Sequence, residues 1–481
     1  NLNAPDGIRG FSILSSACIH PCSGSLYHKF CAEVSSFFIS SKNILYVPCI
    51  QVFSVNHLVD LRCFVDRFPF LHYHYMVKIN RNEDKAMLNE KMVALGTQRS
   101  VIRELFEYGK QRAAEVGPEN VFDFSIGNPS VPAPDCVNET AIKLLNEMDS
   151  VVLHGYTSAQ GDAGVRKMIA DSINSRFQTS FNADNLYMTV GAAAALCCCL
   201  NGLTCPGDEF IVFAPYFPEY KVFIEAAGAS MKLIPADIEA FQIDFGAFEE
   251  AINEHTKGVL VNSPNNPSGA VYSEETVKKL AEILEAKSAE YHHPIYLIAD
   301  EPYREIAFEG TVVPYLPKYY KNTLVCYSWS KSLSLPGERM GYVVVPDEVD
   351  EHELVYAAIA GAGRSLGYVN APGLFQRVCA LCASETSDIS VYETNKNILT
   401  KGLRDMGYHV VEPGGTFYMF PRTLIDDDIA FCEKAKLDHN LLIVPGTGFG
   451  CPGHARISYC VPTEQVERSL AAFEKLVKSY K

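Results

Sequence analysis

Between Asn185 and Pro346, short apolar runs rich in Val, Ile, Leu and aromatic residues alternate with longer amphipathic stretches. The pattern predicts strands at Leu186–Val190, Glu209–Phe213, Met231–Ile234, Gly258–Val261, Ile295–Ala299, Thr323–Tyr327 and Gly341–Val345. Helices are predicted between them at Ala192–Leu203, Glu219–Ala227, Phe245–His255 and Glu274–Tyr291, the last with Ser273 as its cap. Strands that are apolar on both sides must be covered on both sides. The segment therefore implies an α/β fold, a mostly parallel seven-stranded sheet with helices on both faces, in which ligands sit at the carboxyl ends of the strands. After Asp347 the pattern becomes a long helical stretch, a turn at Gly414–Gly415, a strand pair and a terminal helix from Thr463, which reads as a smaller α+β domain. The expected division is an N-terminal arm over 87–130 joining the small domain, a large ligand-binding domain over 131–365 and a small C-terminal domain over 366–481.

Residues 1–86 differ from this body. They hold 8 Lys and Arg against 6 Asp and Glu and carry +2, whereas residues 87–481 hold 33 against 51 and carry −18. Their apolar runs have neither a helical nor a strand period, so they read as an atypical extension outside the core fold, with Met87 or Met92 opening the working protein. An acidic body is a poor match for a phosphate backbone, which argues against a nucleic-acid partner. No 18-residue apolar span points to a membrane, and no signal-peptide pattern is present at the given start. The 16 cysteines include Cys197, Cys198 and Cys199 in a row on an apolar stretch, which suits a reducing, cytoplasmic setting better than a disulfide framework. Cys379 and Cys382 form a C-x-x-C with no second pair, so no metal is expected.

Chemistry collects at the predicted strand ends. Asp300 closes the run Ile295-Tyr-Leu-Ile-Ala, where a carboxylate needs a cationic or hydrogen-bonding partner. Lys331 follows Ser-Trp-Ser, with Arg339 eight residues on, a setting suited to a lowered pKa and to Schiff-base chemistry. Asn262-Ser-Pro-Asn-Asn-Pro-Ser-Gly269 is a rigid turn able to aim amide side chains. Thr189-Val-Gly191-Ala-Ala-Ala-Ala195 opens a helix whose free N–H groups suit a phosphate, without the lysine of a P-loop. Each of these segments alone also reads as ordinary structure: a charge at a strand end, or a turn.

Taken in order, Asn-Asn-Pro-Ser-Gly, Asp-Glu-Pro-Tyr, Ser-Trp-Ser-Lys followed by Gly-Glu-Arg-Met-Gly, and Ala-Arg-Ile-Ser make the chain from about Phe124 to Val461 resemble the class I/II aminotransferases, pyridoxal-phosphate enzymes of the aspartate aminotransferase fold. The resemblance implies that Lys331 forms a Schiff base with pyridoxal 5'-phosphate and then serves as the base. It also implies that Asp300 pairs with the pyridinium nitrogen, that Asn266 and Tyr303 bond the phenolic oxygen, and that Phe217 stacks on the ring. Phosphate would fall to Arg339, Ser328, Ser330 and the backbone of Ala192 and Ala193, because this chain has alanines where many members carry hydroxyl residues. Tyr156 resembles the tyrosine that reaches the neighbouring subunit's phosphate, implying a homodimer with shared sites. Arg456 would clamp the substrate α-carboxylate with Gly127 and Asn266 beside it.

The implied reaction moves an amino group between an α-amino acid and a 2-oxo acid. Two alternatives stay open: a carbon–sulfur β-lyase on the same site, and a regulator with an aminotransferase-like sensing domain, which lacks support because residues 1–86 supply no basic two-helix module. Arg364 lies in the stretch where a second cation for a dicarboxylate would fall, and a solvated role fits it equally well.

Overall fold

A computed structural model of the chain describes residues 88–97 and 101–481. The expectation for residues 1–86 lies outside the described residues. The central sheet has seven strands in the order β2-β8-β7-β6-β5-β3-β4. In chain order, after the short β1 (Phe122–Asp123), these are β2 (Leu186–Thr189), β3 (Glu209–Phe213), β4 (Ser230–Ile234), β5 (Thr256–Asn262), β6 (Tyr296–Asp300), β7 (Thr323–Ser328) and β8 (Gly341–Val344). β8 alone runs against its neighbours β2 and β7; the pairs among β3 to β7 are parallel.

The sheet is covered on both sides, and alternation along each strand sorts the side chains. Tyr296 and Ile298 of β6, with Leu324 and Cys326 of β7, pack with the helices Ala192–Leu203, Glu219–Ala226 and His352–Ser365. Leu297, Ala299 and Val325 point the other way, toward the helices Ala163–Phe177, Glu274–Tyr291 and Gly373–Leu381. β6 has every residue buried, as a central strand between two helical layers requires. Helix starts follow capping chemistry: the Ser273 hydroxyl accepts from the Thr276 N–H at 3.1 Å, and the Asp162 carboxylate accepts from Gly164 and Val165.

One predicted helix is shorter than expected. Phe245–His255 stops at Ala251, because Ile252 turns extended and Asn253 spends its side chain on Glu209 at the foot of β3. The strand pair expected near the C-terminus is a three-stranded sheet in the order β11-β12-β9, formed by β9 (Tyr418–Met419), β11 (Val444–Pro445) and β12 (Ala455–Ser458), while β10 (Leu441–Leu442) pairs in parallel with β1. The helices Ser390–Asp405, Asp428–His439 and Thr463–Lys478 pack on these strands around Phe417, Phe431, Ile457 and Phe473. Segment 366–382 contributes Ala371, Val378, Cys379 and Cys382 to the core of the large sheet. No helix among the described residues is long and apolar enough to cross a membrane, and no group of three or more His, Cys, Asp or Glu among them is arranged to hold a metal ion.

Two connections bring this C-terminal region to the strand ends of the large sheet. The stretch after β6 buries Tyr303, Ile306 and Phe308 in the core around Phe417. The extended chain after β1 is held by Ser458 N–H bonding to Phe124 O at 3.0 Å.

Candidate active site

Asp300, at the end of β6, continues the alternation of Tyr296 and Ile298 and faces the helix Glu219–Ala226. There the Tyr220 hydroxyl donates to its Oδ2 at 2.5 Å. Oδ1 is buried and has no hydrogen-bond partner. Burial pushes this carboxyl up to about 7, against the lowering effect of the Tyr220 bond and with a smaller upward push from Glu301. A carboxylate in this state lacks a cation.

Lys331 sits in the short helical turn Trp329–Ser332 that caps β7. Its Nζ donates to Gly127 O at 2.8 Å and lies 5.4 Å from the centre of the Phe417 ring. Burial holds the ammonium down at about 8; Arg339 and Arg456 lower it further, while Cys460 acts the other way. The amine is thus poised to change protonation near neutral pH.

β12 carries Arg456, 2% exposed. Its guanidinium donates to Asn266 Oδ1 at 3.2 Å and Ser125 O at 2.5 Å, while Nε has no partner. Among the described residues no carboxylate pairs with this buried cation. Burial lowers its pKa, and the rings of Tyr418 and Phe449 lie 4.8 and 5.0 Å from the guanidinium carbon.

The turn after β5 positions Asn266: the Asn262 side chain accepts its N–H at 2.7 Å and donates to Asp300 O at 2.8 Å, so strand ends β5 and β6 are tied together. Tyr303 shares a hydrogen bond of 3.3 Å with Tyr418. Phe217 packs edge-on against Tyr220, ring centres 5.6 Å apart. At the start of the helix Ala192–Leu203, Gly191 has φ 93° and offers no side-chain cap, leaving the first N–H groups to another acceptor. A Cβ on Gly191 would lie 2.7 Å from a terminal nitrogen of Arg339, so the arginine packs closely on this helix start, where the positive φ favours glycine. Ser328 and Ser330 are buried beside Lys331.

The structure thus gathers Lys331, Asp300, Tyr303, Asn266, Arg456 and Gly127 at the carboxyl ends of the strands, with Arg339 against the helix start that holds Ala192 and Ala193. Two expected residues lie outside this group. Tyr156 is 97% exposed, and Arg364 is exposed at the end of the helix His352–Ser365.

The sequence signature of the family described as aminotransferase class I and II matches residues 119–473. This chain belongs to the class I and II aminotransferases. A solved amino transferase from Eubacterium rectale is 60% identical to it, with a TM-score of 0.81 over 82% of this chain and 100% of that one. The aspartate aminotransferase of Thermus thermophilus with maleate is 26% identical, with a TM-score of 0.71 over 82% and 100%. The aspartate aminotransferase of Pyrococcus horikoshii is 30% identical over 419 residues, covering 83% of this chain and all of its own length.

Two residues of this aminotransferase site escaped the sequence reading. Tyr220, the sole hydrogen-bond donor to the Asp300 carboxyl among the described side chains, stands three residues after Phe217, and that spacing onto the first turn of a helix was the available signal. Tyr418 has its ring over Arg456 and its hydroxyl on Tyr303. A Cβ at Gly127 would lie 1.8 Å from that hydroxyl, which explains the glycine. Only the pairing of β9 with β12, which sets Tyr418 opposite Ser458 and on the face of Arg456, reveals its place.

Proposed function

We propose that the chain is a pyridoxal-phosphate-dependent aminotransferase that moves an amino group between an α-amino acid and a 2-oxo acid. The observation that carries this reading is Asp300 Oδ1, a fully buried carboxylate oxygen with no partner, which fits the protonated ring nitrogen of the cofactor. When bound, the cofactor supplies an electron sink for negative charge at the substrate Cα. The chain's residues do the rest. Lys331 would be the amine that holds the cofactor aldehyde and would accept and return the Cα proton at its Nζ, for which a value of about 8 is well matched to working pH. Asn266 and Tyr303 would bond the phenolic oxygen, and Phe217 would pack on the ring. Arg339, Ser328, Ser330 and the N–H groups of Ala192 and Ala193 hold the phosphate. Arg456 takes the substrate carboxylate, which supplies the anion its buried guanidinium lacks, with Gly127 and Asn266 alongside.

The exposure of Tyr156, with Val151 and Val152 also exposed just before it, supports a homodimer in which Tyr156 of one copy completes the phosphate site of the other. The described cysteines are all free thiols, which supports a reducing, cytoplasmic setting. The division into arm, large domain and small domain is likewise part of this proposal. The test is a screen of amino donors with 2-oxoglutarate on purified protein, followed by visible absorption and oxo-acid formation. Transfer from at least one α-amino acid is expected; no transfer from any donor by a protein that has bound the cofactor overturns the reading.

A further inference from the structure

Glu301 follows Asp300 directly and points to the opposite face of the sheet. It is 2% exposed, and Arg304, three residues on, is 6% exposed. Arg304 grips the Glu301 carboxylate with Nε at 2.5 Å and with a terminal nitrogen on the second oxygen. Two of its other N–H groups donate to Val313 O at 3.2 Å and Pro314 O at 3.1 Å, and its guanidinium lies 5.1 Å from both the Phe177 and Tyr315 ring centres. The Arg304 N–H also closes the turn onto Glu301 O at 3.3 Å. This short braced turn carries Asp300 on one side and Tyr303 in its middle, the two residues assigned to the ring nitrogen and the phenolic oxygen of the cofactor.

A buried ion pair seldom stabilises a fold more than apolar packing of the same volume does. Its value here is electrostatic. Unpaired, Glu301 would set a second negative charge beside Asp300 and drive Asp300 to keep its proton. Bound to Arg304, it forms a neutral unit, and Asp300 is left as the carboxylate facing the site. Resting on the cofactor assignment above, we infer that Glu301 and Arg304 are positioning residues that fix the Asp300–Tyr303 turn and keep Asp300 ionised for the cofactor nitrogen.

The other groups around the pair are accounted for. Glu305 and Arg176 act on Glu301 from the same side and are paired with each other at 2.5 Å. Tyr220, Tyr303 and Cys326 are the titratable neighbours of Asp300 on its own side. Burial raises the Glu301 carboxyl and Arg304 opposes that rise, while Glu301 adds only the smaller upward push on Asp300, after burial.

The test uses full-length protein freed of cofactor and titrated with pyridoxal 5'-phosphate from about pH 5 to about pH 9, with affinity read from visible absorbance. In the unchanged protein, affinity falls on the acid side as Lys331 becomes an ammonium and Asp300 takes up its proton, and a parallel titration of Asp300→Asn isolates the Asp300 part of that limb. Arg304→Met should move that acid limb upward by about one pH unit and weaken binding near neutrality about tenfold. Glu301→Gln leaves Arg304 as an unbalanced cation and should move the limb downward. The double variant, Glu301→Gln with Arg304→Met, should return it to the wild-type position. A brace that only holds the turn would weaken binding in all three with the limb unmoved, and that result overturns the inference, as does a shift of both single variants in one direction. If Arg304→Met does not fold, Glu301→Gln decides: no downward shift is refutation. Absence of any cofactor-dependent absorbance in the unchanged protein instead overturns the underlying assignment, and this inference with it.

Discussion

Asp300 and Glu301 are consecutive in the chain, equally buried and on opposite faces of one strand end, yet the molecule treats them in opposite ways. On the Glu301 face both carboxylate oxygens are bound by Arg304, and the arginine's other donors are satisfied by carbonyls. On the Asp300 face one oxygen has a tyrosine and the other has nothing. Buried carboxylates are almost always paired, so an unpaired carboxylate oxygen at the strand-end site fits a ligand there. The same contrast separates Arg304, all three of whose side-chain nitrogens have partners, from Arg456, whose Nε has none among the described residues and whose partners are neutral.

That contrast breaks most visibly at Lys331. Lys331→Ala should abolish the visible absorption of bound cofactor and lower turnover by at least about a thousandfold; a yellow, active variant refutes the assignment. Next is Arg456→Met, expected to lower kcat/KM for amino acids by about 100-fold, mostly through KM, with cofactor affinity little changed. If cofactor affinity falls as far as kcat/KM, Arg456 belongs to the packing and not to the substrate.

A smaller effect, of opposite sign for stability and binding, belongs to Asp300→Asn. The native carboxyl titrates at about 7 against an ordinary value of 3.8, so its favourable linkage is fully present only below the unfolded value and is lost as pH rises through 7. At pH 8 the cofactor-free Asn variant should therefore be more stable than wild type, by up to about 4 kcal/mol in denaturant unfolding, with the gain shrinking as the pH falls below 7. Its cofactor affinity should nevertheless drop. A variant less stable at pH 8 would show that Asp300 is satisfied within the protein. Tyr220→Phe is expected to weaken cofactor binding about tenfold, the loss of one hydrogen bond to a charged group; no change would remove Tyr220 from the site.

Much of this geometry is written locally. The apolar runs from Leu186 to Val345 announce a buried sheet because no other arrangement hides strands on both faces, and residues at their carboxyl ends are carried to one edge by topology alone. Asp300, Lys331 and Asn266 are legible on that ground, and Arg339, just before β8, reaches the same edge because that strand is antiparallel. Tyr220 and Tyr418 are not: each owes its place to which face of a helix or strand meets a distant segment, and an aromatic there reads as core. The early stop of the helix at Ala251 depends on Asn253 finding Glu209, a contact 44 residues distant in sequence. Tyr156, 97% exposed, takes no part in the site of its own chain, and its assigned role needs a second copy.

The central claim is that these side chains run amino-group transfer, and a single half-reaction tests it. Protein loaded with pyridoxal 5'-phosphate is mixed with an accepted α-amino acid and no 2-oxo acid, and products are counted per subunit. The account predicts one equivalent of the matching 2-oxo acid, then arrest, with the visible band restored on adding a 2-oxo acid. Continuous release of pyruvate and ammonia from cystathionine without any acceptor would contradict it and mark the site as that of a carbon–sulfur lyase.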